Sequence, residues 1–232
     1  MKPIALNKIY NDLLNCYGKQ YWWPGDTGFE IAIGAILTQS VSWRNVETAI
    51  STLKSKGLLE PELLNLKSAE EIAPLIRSTG YYNQKAKKVK NFLNWLHGYN
   101  FSFDCLKKIE SSGLRDELLS INGIGPETAD SILLYALSKQ FFVIDAYTRR
   151  LFARIGIISG TERYSEIQDL FHKNFNGTIQ DYNEYHALIV IHAKDVCKKR
   201  SICSKCCLKD FCKANIIYLD DSARSEKISK KD

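Results

Sequence analysis

No stretch of this chain leaves fewer folding options than Leu118 to Arg150. Its first part contains Ile121-Asn122-Gly123-Ile124-Gly125-Pro126. Two glycines separated by one apolar residue let the backbone turn sharply and leave its N–H groups facing outward. Pro126 has a fixed φ that suits a first helical turn. From Thr128 the spacing of Ala129, Ile132, Leu133, Ala136 and Leu137 predicts a helix with one buried face. The reading is a tight hairpin between two helices, its second helix starting at backbone N–H groups able to bind a phosphate. Twenty residues after Gly125, the apolar run Phe141-Phe142-Val143-Ile144 leads to a single acid, Asp145, and an arginine-rich helix. Taken alone, Asp145 reads as the N-cap of that helix.

The flanking sequence is also helical. Apolar side chains at Ile4, Leu6, Ile9, Leu13, Leu14 and Cys16 predict a first helix ending near Tyr17. Gly18, Pro24, Gly25 and Gly28 then break the chain around Tyr21-Trp22-Trp23, aromatics that either pack on a neighbouring helix or wall a pocket. Phe29 to Gln39 is apolar nearly all round and predicts a buried helix. Ser42 is placed to cap the next helix, and Ser68-Ala69-Glu70-Glu71 has the form of a capping box. The lysines between Tyr81 and Lys90 read as a solvated helix face. Gly113 to Ser120 is the first helix of the hairpin. Tyr147–Ile155, Ser165–Phe175 and Tyr182–Cys197 are further helices, with His186 and His192 on the last in packing or capping roles. No alternating strand pattern or internal repeat occurs, so the expected class is all-α.

Composition narrows the setting. Apolar residues make up 45% of 232, enough for a substantial core, and the net charge of +6 permits a nucleic-acid face without requiring one. No run approaches the roughly 20 apolar residues of a membrane span. Met1-Lys2-Pro3-Ile4 does not open a secretory leader, which predicts a cytoplasmic protein with reduced thiols.

Five of the seven cysteines nevertheless crowd into 16 residues, as Cys197-x5-Cys203-x2-Cys206-x5-Cys212 with Cys207 beside them. Zinc commonly takes two short Cys-x2-Cys arms, and only one exists here. The wider, near-symmetric outer intervals favour a compact loop around a [4Fe–4S] cluster, with Cys206 or Cys207 as the third ligand. Lys198, Lys199, Arg200, Lys205, Lys209 and Lys213 give the loop a basic surface suited to phosphates. Beyond residue 217 the chain turns polar and lysine-rich, and 218–232 reads as a disordered tail.

Together the hairpin, the aspartate and the cysteine loop resemble the helix-hairpin-helix DNA glycosylase superfamily of the endonuclease III type. The resemblance spans about residues 20 to 215. It is most similar to the bacterial 3-methyladenine DNA glycosylases, on Trp22-Trp23-Pro24-Gly25, Ala35-Ile36-Leu37-Thr38-Gln39, Glu127, and Val143-Ile144-Asp145 followed by Tyr147. The first cysteine gap is one residue shorter than the family's usual bacterial form, and the 3-methyladenine member in view lacks the cluster.

The resemblance implies a six-helix barrel at 29–140 with the hairpin, and a second helical domain from 1–28 and 141–217 carrying the cluster. DNA would lie in the cleft between them. It implies that Gly123, Ile124 and Gly125 grip the DNA backbone, that Gln39 enters the duplex beside a flipped base, and that Asp145 is the catalytic carboxylate. Trp22, Trp23, Trp43 and Glu127 would line the base pocket, and Cys197, Cys203, Cys206 and Cys212 would bind the cluster. Endonuclease III has a catalytic lysine where this chain has Glu127, which cannot form a Schiff base. The implied activity is therefore a monofunctional glycosylase acting on alkylated purines in double-stranded DNA, as a nucleoid-associated monomer. A bifunctional glycosylase/lyase for oxidised pyrimidines and a non-catalytic damage-binding protein are the alternatives.

Overall fold

The structure is a computed structural model and describes residues 6–214. It is all-α; no strand occurs among the described residues. The expected tail at 218–232, and Ile4 of the first helix, lie outside the described residues. No helix is long and apolar enough to cross a membrane. The chain divides into two compact units, one formed by Trp23–Phe141 and the other by Met1–Trp22 with Phe142–Asp232. The divisions fall at 22/23 and 141/142, against the 28/29 and 140/141 read from the sequence.

The first helix of the central unit is α2 (Gly28–Leu37). It is buried on almost every side, as its all-apolar sequence requires. Thr27 caps it by accepting the Glu30 N–H at 3.1 Å. Helix α3 (Trp43–Ser55) follows; Ser42 stands at its N-cap position, but its side chain makes no capping bond. A short α4 (Pro61–Asn65) precedes α5 (Ala69–Ile72), where the Ser68/Glu71 capping box forms as read. The 3-10 segment Ala73–Thr79 leads to α6 (Tyr82–His97). The lysines of α6 are not all on a solvated face: Lys85 is only 2% exposed, because its ammonium has carbonyl partners inside the unit. Helices α7 (Phe103–Lys108), α8 (Ser111–Ser120) and α9 (Pro126–Ser131) complete the unit, α9 continuing through one π turn at Ile132–Ala136. Arg115 of α8 clamps the fully buried Asp130 of α9 through Nε (2.7 Å) and Nη2 (3.1 Å), joining the two hairpin helices. Ile33, Ile36, Phe92, Leu93, Leu118 and Ile132 are among the fully buried core.

The other unit is built from both ends of the chain. Helix α1 (Leu6–Tyr17) buries Leu6, Ile9 and Leu13 completely and packs on α12 (Ile179–Asp195). Helix α10 (Ala146–Ile155) ends at Gly156, whose φ of +86° makes a left-handed cap. Helix α11 (Tyr164–Asn174) completes the set. Phe142 stacks on Phe171 (centroids 3.8 Å), Phe152 and Tyr185 meet Phe171 edge to face, and Phe175 packs tilted on Tyr185. Such pairs each contribute about 1 kcal/mol beyond their burial.

Candidate active site and cysteine loop

The hairpin is held from beneath. Ile121 and Ile124 are buried, and the Ile124 N–H donates to the Ile121 carbonyl at 3.0 Å, which closes the turn. Gly123 sits at φ +97°, a conformation that favours glycine. Gly125 is the exposed N-cap of α9, and nothing lies within 4 Å of the place a Cβ would take. A ligand backbone could therefore approach the N–H groups that begin α9.

Gln39 lies two residues beyond α2 in the same unit. Its amide nitrogen donates to the Gly123 carbonyl (3.2 Å) and to Thr128 Oγ1 (3.0 Å). Its amide oxygen accepts from the Lys88 ammonium. The structure thus joins Gln39 to the hairpin, a contact across 84 positions that no local spacing could signal.

Trp23 and Trp43 also meet, ring edge to ring face, with centroids 5.1 Å apart, and Tyr135 packs on Trp23 at 5.0 Å. The two tryptophans wall a cavity of about 260 Å³ together with Asp26, Glu30, Glu47 and Lys54. Trp43 donates its indole N–H to Glu47 at 2.7 Å, and Lys54 pairs with Asp26 (2.7 Å) and Glu30 (2.8 Å). Trp22 and Glu127 do not line this cavity. Trp22 belongs to the other unit, and Glu127 is exposed in the first turn of α9.

In the terminal unit, the buried run Phe142-Val143-Ile144 delivers Asp145 to the N-cap of α10. Its Oδ1 accepts the Thr148 N–H at 2.7 Å, and Oδ2 lies 3.6 Å from His186 Nε2. The side chain is 13% exposed. Burial pushes the Asp145 carboxyl up, but His186 and the Thr148 N–H outweigh it and hold the group below the usual carboxylate range. Asp145 is thus both an N-cap and a carboxylate kept ionised. His186 is the neighbour that the sequence did not disclose as such; it is 41 positions away, and only the packing of α10 on α12 brings the pair together.

Cys197, Cys203, Cys206 and Cys212 wall a cavity of about 180 Å³ beside Leu151 and Arg154 of α10. Two arginines of α10 hold the loop: Arg150 donates to the carbonyls of Cys197 (3.0 Å) and Ala193 (2.8 Å), and Arg154 to that of Lys199 (2.9 Å). Cys206, not Cys207, faces this cavity. Burial first, and then the neighbouring Cys16 of α1, push the Cys207 thiol up. Burial pushes the Cys206 thiol up to about 11. Buried His192 bridges the Tyr17 hydroxyl (2.8 Å) and Cys206 Sγ (3.4 Å), and burial pushes its imidazole down to about 4. Among the described residues no three cysteine, histidine or carboxylate side chains converge closely enough to hold a single metal ion. Four cysteines around one cavity are the donor set that a [4Fe–4S] cluster would take.

Residues 33–176 match the HhH-GPD superfamily of base excision DNA repair proteins. The chain is 48% identical over 208 residues to a protein of Methanocaldococcus jannaschii provisionally assigned as a DNA repair glycosylase, covering 88% of this chain and 94% of that one. It is 32% identical to endonuclease III of Sulfolobus acidocaldarius, with 83% of each chain covered. Among solved structures, the Helicobacter pylori 3-methyladenine DNA glycosylase bound to 1,N6-ethenoadenine superposes with a TM-score of 0.69 at 29% identity, covering 82% of this chain and 94% of that chain. An endonuclease III–DNA complex superposes with a TM-score of 0.79 over 93% of this chain and 97% of that one; at 19% identity that likeness shows the fold.

Proposed function

The chain belongs to the HhH-GPD superfamily of base excision DNA repair proteins and is a DNA repair glycosylase of that family, and from that premise we propose that it is monofunctional and removes cationic alkylated purines such as 3-methyladenine from double-stranded DNA. The observation that carries the reading is Asp145. Breaking an N-glycosidic bond builds positive charge on the sugar, and a fixed carboxylate stabilises that charge and orients the attacking water. Asp145 accepts the Thr148 N–H, faces His186 and is held ionised, which suits it to both tasks.

The monofunctional assignment rests on chemistry. A lyase needs an amine to form a Schiff base. Glu127 occupies the position where the endonuclease III type carries its lysine, and Lys139, farther along, has its ammonium engaged by the carbonyls of Lys107 (3.1 Å) and Ile109 (2.6 Å). The cationic substrate is supported by the tryptophan cavity. Aromatic faces attract a cation, and the acids Asp26, Glu30 and Glu47 outnumber the single Lys54 on the same walls. The named substrate class of the H. pylori enzyme agrees with this. Because a cationic base is already a good leaving group, a single carboxylate is sufficient.

In this reading the base leaves the stack before it is cut. Gly123, Ile124 and Gly125 hold the DNA backbone, Gln39 fills the vacated space, and Trp23 and Trp43 receive the base. Cys197, Cys203, Cys206 and Cys212 hold a [4Fe–4S] cluster, which when bound gives the loop a rigid centre. The protein acts as a monomer on chromosomal DNA in the cytoplasm.

The experiment is release of free bases from methylated DNA by the purified protein, with strand nicking scored before and after alkali. The expected result is free 3-methyladenine and nicks after alkali alone. Nicking without alkali on oxidised-pyrimidine DNA would instead place the chain with its endonuclease III relatives. Tight binding of abasic DNA with no base released from any lesion would make it a damage-binding protein. Iron and acid-labile sulfide in equal amounts in the purified protein check the cluster.

A further inference from the structure

Two lysines of α6, Lys85 and Lys88, do something other than solvate a helix face. Lys85 is buried, and its ammonium donates to the carbonyls of Leu37 (2.9 Å) and Thr79 (2.7 Å). Leu37 is the last residue of α2, immediately before Thr38-Gln39-Ser40. Three positions along α6, on the same face, Lys88 donates to the Gln39 side-chain oxygen. The opposite end of the Gln39 amide is bound by Gly123 and Thr128 of the hairpin. Lys88 also lies directly over Gly123: a Cβ added there would fall 2.3 Å from Lys88 Cγ. The turn itself is a tight one, with Thr38 Oγ1 donating back to the Gly34 carbonyl (2.6 Å) and Ser40 at φ +55°.

We propose that Lys85 and Lys88 are positioning residues that hold the Gln39 turn in fixed register with the hairpin, so that gripping the DNA backbone and presenting Gln39 to the duplex are one rigid operation. Lys85 fixes where the turn begins, and Lys88 fixes the Gln39 amide with its nitrogen toward the hairpin. The absent side chain of Gly123 is what lets Lys88 reach across. The proposal rests on the reading that Gln39 enters DNA, and its test separates the two.

The test uses the full chain and a duplex carrying a tetrahydrofuran abasic-site analogue beside a 2-aminopurine, whose fluorescence rises when it is unstacked. The wild type, Gln39→Ala, Lys88→Met and the double variant are compared for affinity and for the fluorescence rise. If Lys88 acts through Gln39, each single variant weakens binding by about tenfold and lowers the rise, and the double variant is no weaker than Gln39→Ala alone. The salt dependence of affinity for Lys88→Met then keeps the wild-type slope. Should the losses multiply and the slope fall by about one, Lys88 is an independent phosphate contact and the proposal is overturned. Should Gln39→Ala bind and unstack as the wild type does, Gln39 does not enter DNA, and the reading beneath the proposal fails instead. Lys85→Met is expected to lower the fluorescence rise as well; where it does not fold, the Lys88 cycle decides alone.

Discussion

Asp145 shows how one side chain can serve structure and chemistry at once, and how substitution separates them. Asparagine caps a helix as well as aspartate does, whereas alanine loses about 1 kcal/mol of capping. Asp145→Asn should therefore unfold close to the wild-type temperature, bind DNA, and release no base; Asp145→Ala should lose both the activity and that increment of stability. Calorimetry beside the base-release assay checks both, and an active Asp145→Asn would defeat the mechanism. Lys85 makes a second residue-scale case. Burial, with Lys88 nearby, pulls its ammonium down to about 8, below the ordinary lysine value of about 10.4. Between those values the unfolded chain binds more protons than the folded one, so this group makes stability rise with pH from about 8 to about 10.4. Urea midpoints measured over that window should climb more for the wild type than for Lys85→Met.

At the scale of the element, the two hairpin glycines are not equivalent. Gly123 has both a left-handed backbone and Lys88 pressed against it, and Gly123→Ala should cost about 1–3 kcal/mol. Gly125 has φ −95° and open space, so Gly125→Ala should change stability by about 0.5 kcal/mol or less. Chemical denaturation of the pair tests this, and any loss of DNA affinity in Gly125→Ala then reports crowding of the exposed backbone rather than misfolding. The elements themselves were largely legible in the sequence. The all-apolar α2, the Ser68 capping box, the hairpin and the Gly156 stop are local signals, decided within a few residues by propensity and capping. Ser42, which stands at a cap position without making the bond, shows the limit: the backbone can end a loop there and satisfy its N–H groups otherwise. The α6 lysines show the same limit from the other side, since charge alone does not reveal a pair of buried carbonyls waiting for it.

For the whole molecule, the notable fact is that the terminal unit needs both ends of the chain. Leu6, Ile9 and Leu13 of α1 have no exposed surface, and each is worth about 1.5–3 kcal/mol by burial. Their sum is comparable to the whole stability of an ordinary domain. A chain lacking residues 1–17 should keep a protease-resistant 23–141 and become cleavable within 142–214; equal resistance in both units would contradict this. The sequence by itself determined the helical class, the hairpin, the acid at the head of α10 and a cysteine loop too dense to be accidental, because each is written in neighbouring residues. Tertiary structure alone decided which side chains meet: Gln39 with Gly123 and Lys88, Asp145 with His186, Trp23 with Trp43, and Cys206 rather than Cys207 at the loop cavity. The reason is physical. Helix and turn formation follow short-range sterics and hydrogen bonding, whereas these contacts are set by how buried faces far apart in the chain close-pack, and no local spacing encodes that.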